Sequence, residues 1–206
     1  MAIKLLTQPS AKPLIGKSHW WGAPDLPDDV PYPTVDVHED SEVYAEPLTF
    51  LCQIRCDEIA PFDTAHLLPH EGMLWFFAPL DYFLGDRDSP LDYHMPPKVI
   101  YSRRTENLKP YDLHWEDTGE SVFRPAEKIV FTVAEDPCSD GIMMLGTPYQ
   151  EEVSSLHERD VCLLQVDADD RWGLRFYDCG MYYFFVPARD LCRMKFDNAS
   201  GELFYY

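Results

Sequence analysis

Two glutamines are the residues whose type and spacing come nearest to chemistry. Gln53 sits in Phe50-Leu51-Cys52-Gln53-Ile54-Arg55, and Gln165 in Cys162-Leu163-Leu164-Gln165-Val166-Asp167, 112 positions later. Strand alternation places Thr49, Leu51, Gln53 and Arg55 on one face and Phe50, Cys52 and Ile54 on the other. In the second segment Val161, Leu163, Gln165 and Asp167 share a face. Each glutamine therefore lies on a face that ends in a charge. If a twofold axis relates the segments, Gln53, Arg55, Gln165 and Asp167 converge on a polar pocket for a small molecule or a partner's main chain. The other reading, which the residue types favour, is that each amide satisfies nearby backbone groups, as buried polar groups must. Trp20 and Trp21, with Trp75, Trp115, Trp172 and the run Tyr182–Phe185, could line a groove, although aromatics at strand spacing are usually core.

Other motifs are incomplete. Asp167-Ala168-Asp169-Asp170-Arg171-Trp172-Gly173 echoes a calcium loop, but Arg171 stands where a ligand should be and the glycine comes one residue late. It reads as a solvated acidic turn. His66 and His70 have i,i+4 spacing, yet Pro69 disfavours the helix that would align them. There is no G-x-S-x-G elbow, no cysteine in an activating context and no glycine-rich phosphate loop. No catalytic residue, metal site or cofactor is assigned on these grounds, and the chain is read as leaning away from catalysis. Triads assemble in space, so an enzyme or small-molecule sensor using the polar pocket remains the alternative.

Charge points to a partner. The net charge is −19 over 206 residues. Eight acids lie between Lys17 and Arg55 with no lysine or arginine among them, and six more lie between Lys128 and Arg159. Such a surface repels phosphate backbones, which argues against nucleic acid, and it would steer a basic protein partner. Solubility alone is the plainer explanation of the same charge. The longest apolar stretches, such as Met73–Leu80, fall far short of the roughly 20 residues of a spanning helix. The N-terminus has no signal-peptide core. No membrane contact and a cytoplasmic location are expected. The six cysteines contain no C-x-x-C pair. Cys52, Cys162, Cys179 and Cys192 lie in apolar, strand-like surroundings and are expected to be reduced and buried.

The elements that must position these residues are mostly strands. Both glutamine segments are β-branched, aromatic and aliphatic, and so are the blocks after Gly72 and Gly180, 108 positions apart. Two blocks recurring in order at nearly one offset suggest a duplicated unit. Lys98–Tyr101, Ile129–Val133 and Glu202–Tyr206 are further strands, and many segments are apolar on both faces, as central strands are. Cys56–Ile59, Pro187–Arg193 and Glu151–His157 read as short helices. Eighteen prolines leave long loops, and Trp20–Pro27 is too proline-rich for a helix or a central strand.

These residues also carry a resemblance. Trp21-Gly22-Ala23-Pro24-Asp25-Leu26-Pro27, Pro47–Ile54, Leu68-Pro69 with Gly72–Phe77, Lys98–Tyr101, Leu145-Gly146-Thr147-Pro148, Leu163–Asp167, Gly180–Phe185, Asp190-Leu191 and Phe196-Asp197-Asn198 follow in an order that resembles the YwqG-like family of bacterial domains of unknown function. The resemblance implies a cytosolic α+β fold of two related halves, and it supplies no activity, cofactor or catalytic residue. Some relatives lie near toxin–immunity loci. The chain departs from the pattern at Trp20-Trp21-Gly22, where Gly-Gly is common, and at Arg55, where relatives carry a small polar residue.

The expectation is thus an α+β fold: two related β-rich halves (1–110 and 111–206) with a mostly antiparallel or mixed sheet, short helices and long proline-rich loops. They form a single domain, 1–206, of open oligomeric state. Its expected role is that of a non-catalytic acidic domain, in one form immunity- or antitoxin-like, that binds a basic partner. Gln53, Arg55, Gln165, Asp167, Trp20 and Trp21 are its candidate binding residues.

Overall fold

The computed structural model describes residues 2–39, 42–115 and 118–205. Its strands are β1 (Ile3–Pro9), β2 (His19–Trp20), β3 (Asp25–Leu26), β4 (Thr34–Glu39), β5 (Glu42–Pro47), β6 (Thr49–Arg55), β7 (Met73–Ala78), β8 (Lys98–Ser102), β9 (Lys109–Pro110), β10 (Glu127–Val133), β11 (Met143–Met144), β12 (Asp160–Asp167), β13 (Gly180–Pro187) and β14 (Ser200–Tyr205). The helices α1 (Cys56–Ile59), α2 (Glu151–Leu156) and α3 (Ala188–Leu191) are one or two turns each.

Ten strands form one sheet in the order β14-β13-β12-β11-β1-β10-β2-β6-β7-β8. Every neighbouring pair in it is antiparallel. The sheet curls until its edges nearly meet. Lys98 of β8 pairs with Asp197 just before β14 at 3.9 Å, and the rings of Tyr101 and Phe196 lie 5.7 Å apart. Pro96 and Pro97 lie just before β8, where proline has no N–H with which to extend the ladder. The α+β expectation is overturned: the fold is 39% strand and 12% helix, a nearly closed antiparallel barrel. The short helical segments are real, but at four to six residues they cannot form a layer against a sheet.

The order is symmetric about the β1–β10 pair, in which Leu6 lies opposite Val130. On either side of that pair comes a two-residue strand (β2 or β11), then a glutamine strand (β6 or β12), then an aromatic strand (β7 or β13). β1 sits beside β11, and β10 beside β2. Proline did not keep Trp20 from the sheet, contrary to the sequence reading: β2 lies between β10 and β6. It does stop β2 early, because Trp21 at φ 54° and Gly22 at φ 77° turn the chain away.

The barrel interior is filled by Leu51, Ile54, Leu74, Phe76, Leu164, Val166, Tyr182 and Phe184. Phe76 and Phe184 meet edge to face across it at 5.4 Å. Two smaller cores lie on the outer face, one around Phe50, Trp75 and Phe77, the other around Val153, Cys162, Tyr183 and Phe185. This covering on both faces explains why β7 and β13 read as unbroken apolar runs. Cys179 and Cys192, expected to be buried, are exposed, because both fall in turns flanking β13 and α3 rather than in strands.

Candidate functional site

Gln53 and Gln165 are both fully buried, but neither faces the other. Four strands separate β6 from β12 in the sheet. A register shift between Phe50 and Cys52, and another between Cys162 and Leu164, breaks simple alternation in both strands. The extra residue turns Leu51 and Leu163 inward, away from the face that the sequence assigned them, and leaves the glutamines on the outside of the barrel.

There each glutamine clamps a loop. Gln53 Nε2 donates to the Lys17 carbonyl and the Asp25 carboxylate, while its Oε1 accepts from Asp25 N–H and Trp75 Nε1. Asp25 in turn accepts from Gly16 N–H at 2.7 Å. Arg55 donates to the Gly16 carbonyl and to Asp57. In the other strand Gln165 Nε2 donates to the carbonyls of Ser139 and Gly141, and Asp167 accepts the Gly141 N–H at 2.8 Å. Burial raises the Asp167 carboxyl above its ordinary range. These contacts anchor loops on two sides of the barrel, and the four side chains do not converge. Trp20 is enclosed in the core, stacked on Trp172 at 5.4 Å. Arg171 donates to Asp169 in the calcium-like turn. Among the described residues no group of three His, Cys, Asp or Glu side chains is disposed to hold a metal ion.

Of the candidates, Trp21 lines a cavity. This cavity, of about 240 Å³, lies between the end of β5, the start of β6, the turn 81–89 and the segment 113–124. Its walls are aromatic: Trp21, Tyr32, Phe50, Trp115 and Phe123. Its polar groups are Glu46, Thr49, Asp81, Asp86 and Arg124. Thr49 donates to Asp81 Oδ1 at 2.7 Å, while Asp81 Oδ2 and the Trp21 indole N–H are buried without a protein partner. Both atoms are open to a partner that enters the cavity. Burial, reinforced by Asp86, pushes the Asp81 carboxyl up despite the Thr49 hydrogen bond. Burial, then Asp81 and Asp86, raises Glu46. Arg124 lies over the Trp21 ring at 5.1 Å, and burial lowers its guanidinium. A cluster of perturbed groups in a cleft makes it a candidate binding site. Sequence reasoning counted Glu46 only as part of an acidic run and had no signal for Asp81, Asp86 or Arg124; the four come from three separate segments.

A larger cavity, about 690 Å³, runs along the barrel seam between Pro96–Tyr101, Met194–Ala199 and Val30–Val35. Its walls are largely apolar, with Val35, Ile100 and Phe196 prominent. Tyr32 and Leu48 line both cavities, and Tyr32 O–H donates to the Leu48 carbonyl at 2.8 Å. The acidic hairpin β4–β5 stands beside them, exposing Asp36, Glu39 and Glu42. Asp28 and Asp29 are engaged by Lys109 and Arg104. Asp40 lies outside the described residues.

The family model of a domain of unknown function (DUF1963) matches residues 18–152 and, overlapping them, 130–203. No curated protein matches the chain. Among the described residues no helix is long and apolar enough to cross a membrane.

Proposed function

We propose, for a chain that belongs to the family described as a domain of unknown function (DUF1963), that it is a non-catalytic acidic domain that binds a basic protein partner. The observation that carries this reading is the cavity in which Glu46, Asp81 and Asp86 share aromatic walls with a single arginine. Two of these carboxyls are held above their ordinary range by burial and by their neighbours' charge. Their ionised forms are therefore short of compensation, and a cation entering the cavity supplies it. Aromatic faces add attraction for that cation. At about 240 Å³ the cavity is below the usual 300–1,000 Å³ of drug-sized sites, which suits one lysine or arginine side chain. The seam cavity meets it at Tyr32 and Leu48, so a partner's chain can lie along the seam and lower a basic side chain into the pocket.

The same reading takes the two halves of the sheet as repeats, keeps the YwqG-like likeness and a cytosolic location, and admits an immunity-like role as one form. The competing idea of a polar pocket between the halves draws no support from Gln53, Arg55, Gln165 or Asp167, whose hydrogen bonds go to their own loops.

Thermal shift with arginine ethyl ester, lysine ethyl ester and the neutral norleucine ethyl ester tests the pocket. The two cationic esters should raise Tm and the neutral one should not. The double variant Glu46→Gln/Asp81→Asn should lose the response. Equal shifts from the neutral ester, or an undiminished response in the variant, would overturn the reading.

A further inference from the structure

We propose that a second cavity, on the other side of the turn that supplies Asp81 and Asp86, binds a small aromatic anion, a carboxylate or phosphate carried on a ring. The cavity encloses about 250 Å³ between two loops and is lined by Tyr82, Phe83, Gly85 and Arg87 from one, and by Gly173, Arg175 and Tyr177 from the other. In a chain with 36 acids and 17 basic residues, two arginines and no acid line this space. The turn 81–87 thus sorts its charges: Asp81 and Asp86 face the first cavity, and Arg87 faces the second.

The arginines are available. Arg87 makes no ion pair or hydrogen bond among the described residues. Arg175 uses Nε for Asp170 at 2.8 Å, leaving the terminal nitrogens of its fork. A guanidinium presents paired N–H donors that match the two oxygens of a carboxylate or phosphate, and two such groups around one space define an anion site.

The ring half of the ligand follows from the tyrosines. Tyr82 and Tyr177 are 42% and 44% exposed with ring centroids 6.4 Å apart, large aromatic faces left open to solvent. Tyr177 holds a left-handed backbone, φ 54°, an uncommon conformation for a bulky side chain. Its ring is fixed there by Tyr205 at 4.4 Å and Phe83 at 5.4 Å. Strain of this kind persists where surrounding structure imposes it, and it collects at ligand sites. The two loops are stitched by the Arg175 N–H donating to the Phe83 carbonyl at 3.0 Å, so the cavity is preformed. Its volume accommodates one ring bearing one acid group and little more.

Isothermal titration of the full chain with phenyl phosphate and benzoate tests the site, with phenol and inorganic phosphate as controls. At least one of the two aromatic anions should bind saturably, at least tenfold more tightly than either control. Arg87→Gln should weaken that binding at least tenfold with Tm unchanged, because Arg87 has no protein partner to lose. Absence of saturable binding for both aromatic anions would overturn the proposal. So would affinity undiminished in the Arg87→Gln variant, or inorganic phosphate binding as tightly as phenyl phosphate. The outcome is independent of the cation-binding pocket proposed above, which none of these residues lines.

Discussion

Gln53 and Asp25 hold each other at both ends: Gln53 Oε1 accepts the Asp25 backbone N–H at 2.8 Å, and Gln53 Nε2 donates to the Asp25 carboxylate. The pair fastens the loop Gly16–Leu26, which carries Trp20 and Trp21, to the middle of β6. A buried amide with all its hydrogen bonds made rigidifies what it touches, and one left unmade is costly.

Gln53→Leu should therefore destabilise the fold by about 2–4 kcal/mol, since it strands a backbone N–H, a carboxylate and an indole N–H. Gln165→Leu should cost less, about 1–2 kcal/mol, because its Oε1 has no protein partner to lose. Urea denaturation midpoints at constant m-value measure both. A loss below 0.5 kcal/mol for Gln53→Leu, well under the roughly 1 kcal/mol of one ordinary hydrogen bond, would show that the clamp is idle.

Asp81 predicts a pH dependence of definite sign. Burial raises its carboxyl above 3.8 in the folded chain. A raised acid contributes stability below its unfolded value, and that contribution is lost as pH rises through the folded one. Asp81→Asn keeps an acceptor for Thr49 and removes the charge, so it should raise Tm at pH 7 by about 2–4 °C, the equivalent of about 1 kcal/mol at this chain length. The gap should close toward pH 3. A variant less stable than the parent at pH 7 would contradict this account of the pocket.

The cysteines divide by burial. Cys52 and Cys162 are buried, and burial pushes the Cys162 and Cys56 thiols up to about 12. Thiolate is the reactive form, so these three should resist a disulfide reagent at pH 8. Cys179 and Cys192 should react at once and Cys138 more slowly. Counting released thiolate before and after adding guanidinium checks the division; more than two rapid equivalents in the native chain would refute it.

Gly180 opens β13 where a Cβ would lie 2.7 Å from the Phe176 carbonyl oxygen and 2.8 Å from that of Phe204. Both obstacles are backbone and cannot rotate aside. Gly180→Ala should cost about 1–3 kcal/mol by overpacking, read as a lowered thermal midpoint. An unchanged midpoint would mean that β14 can shift away.

What the sequence determined by itself were the strands and their burial. Apolar runs at Met73–Ala78 and Gly180–Pro187 read as strands covered on both faces, and they are. The glutamines, polar within such runs, had to be buried and bonded. Tertiary structure decided the rest. The bulges beside Leu51 and Leu163 reversed those residues' facing, since one inserted residue undoes a period of two. Ten strands close on themselves while the helices stay at four to six residues, too short to form a layer, which made an expected α+β fold mostly β. The cavity of Glu46, Asp81, Asp86 and Arg124 has no local pattern, because its side chains come from three separate segments and only the packing of loops brings them together.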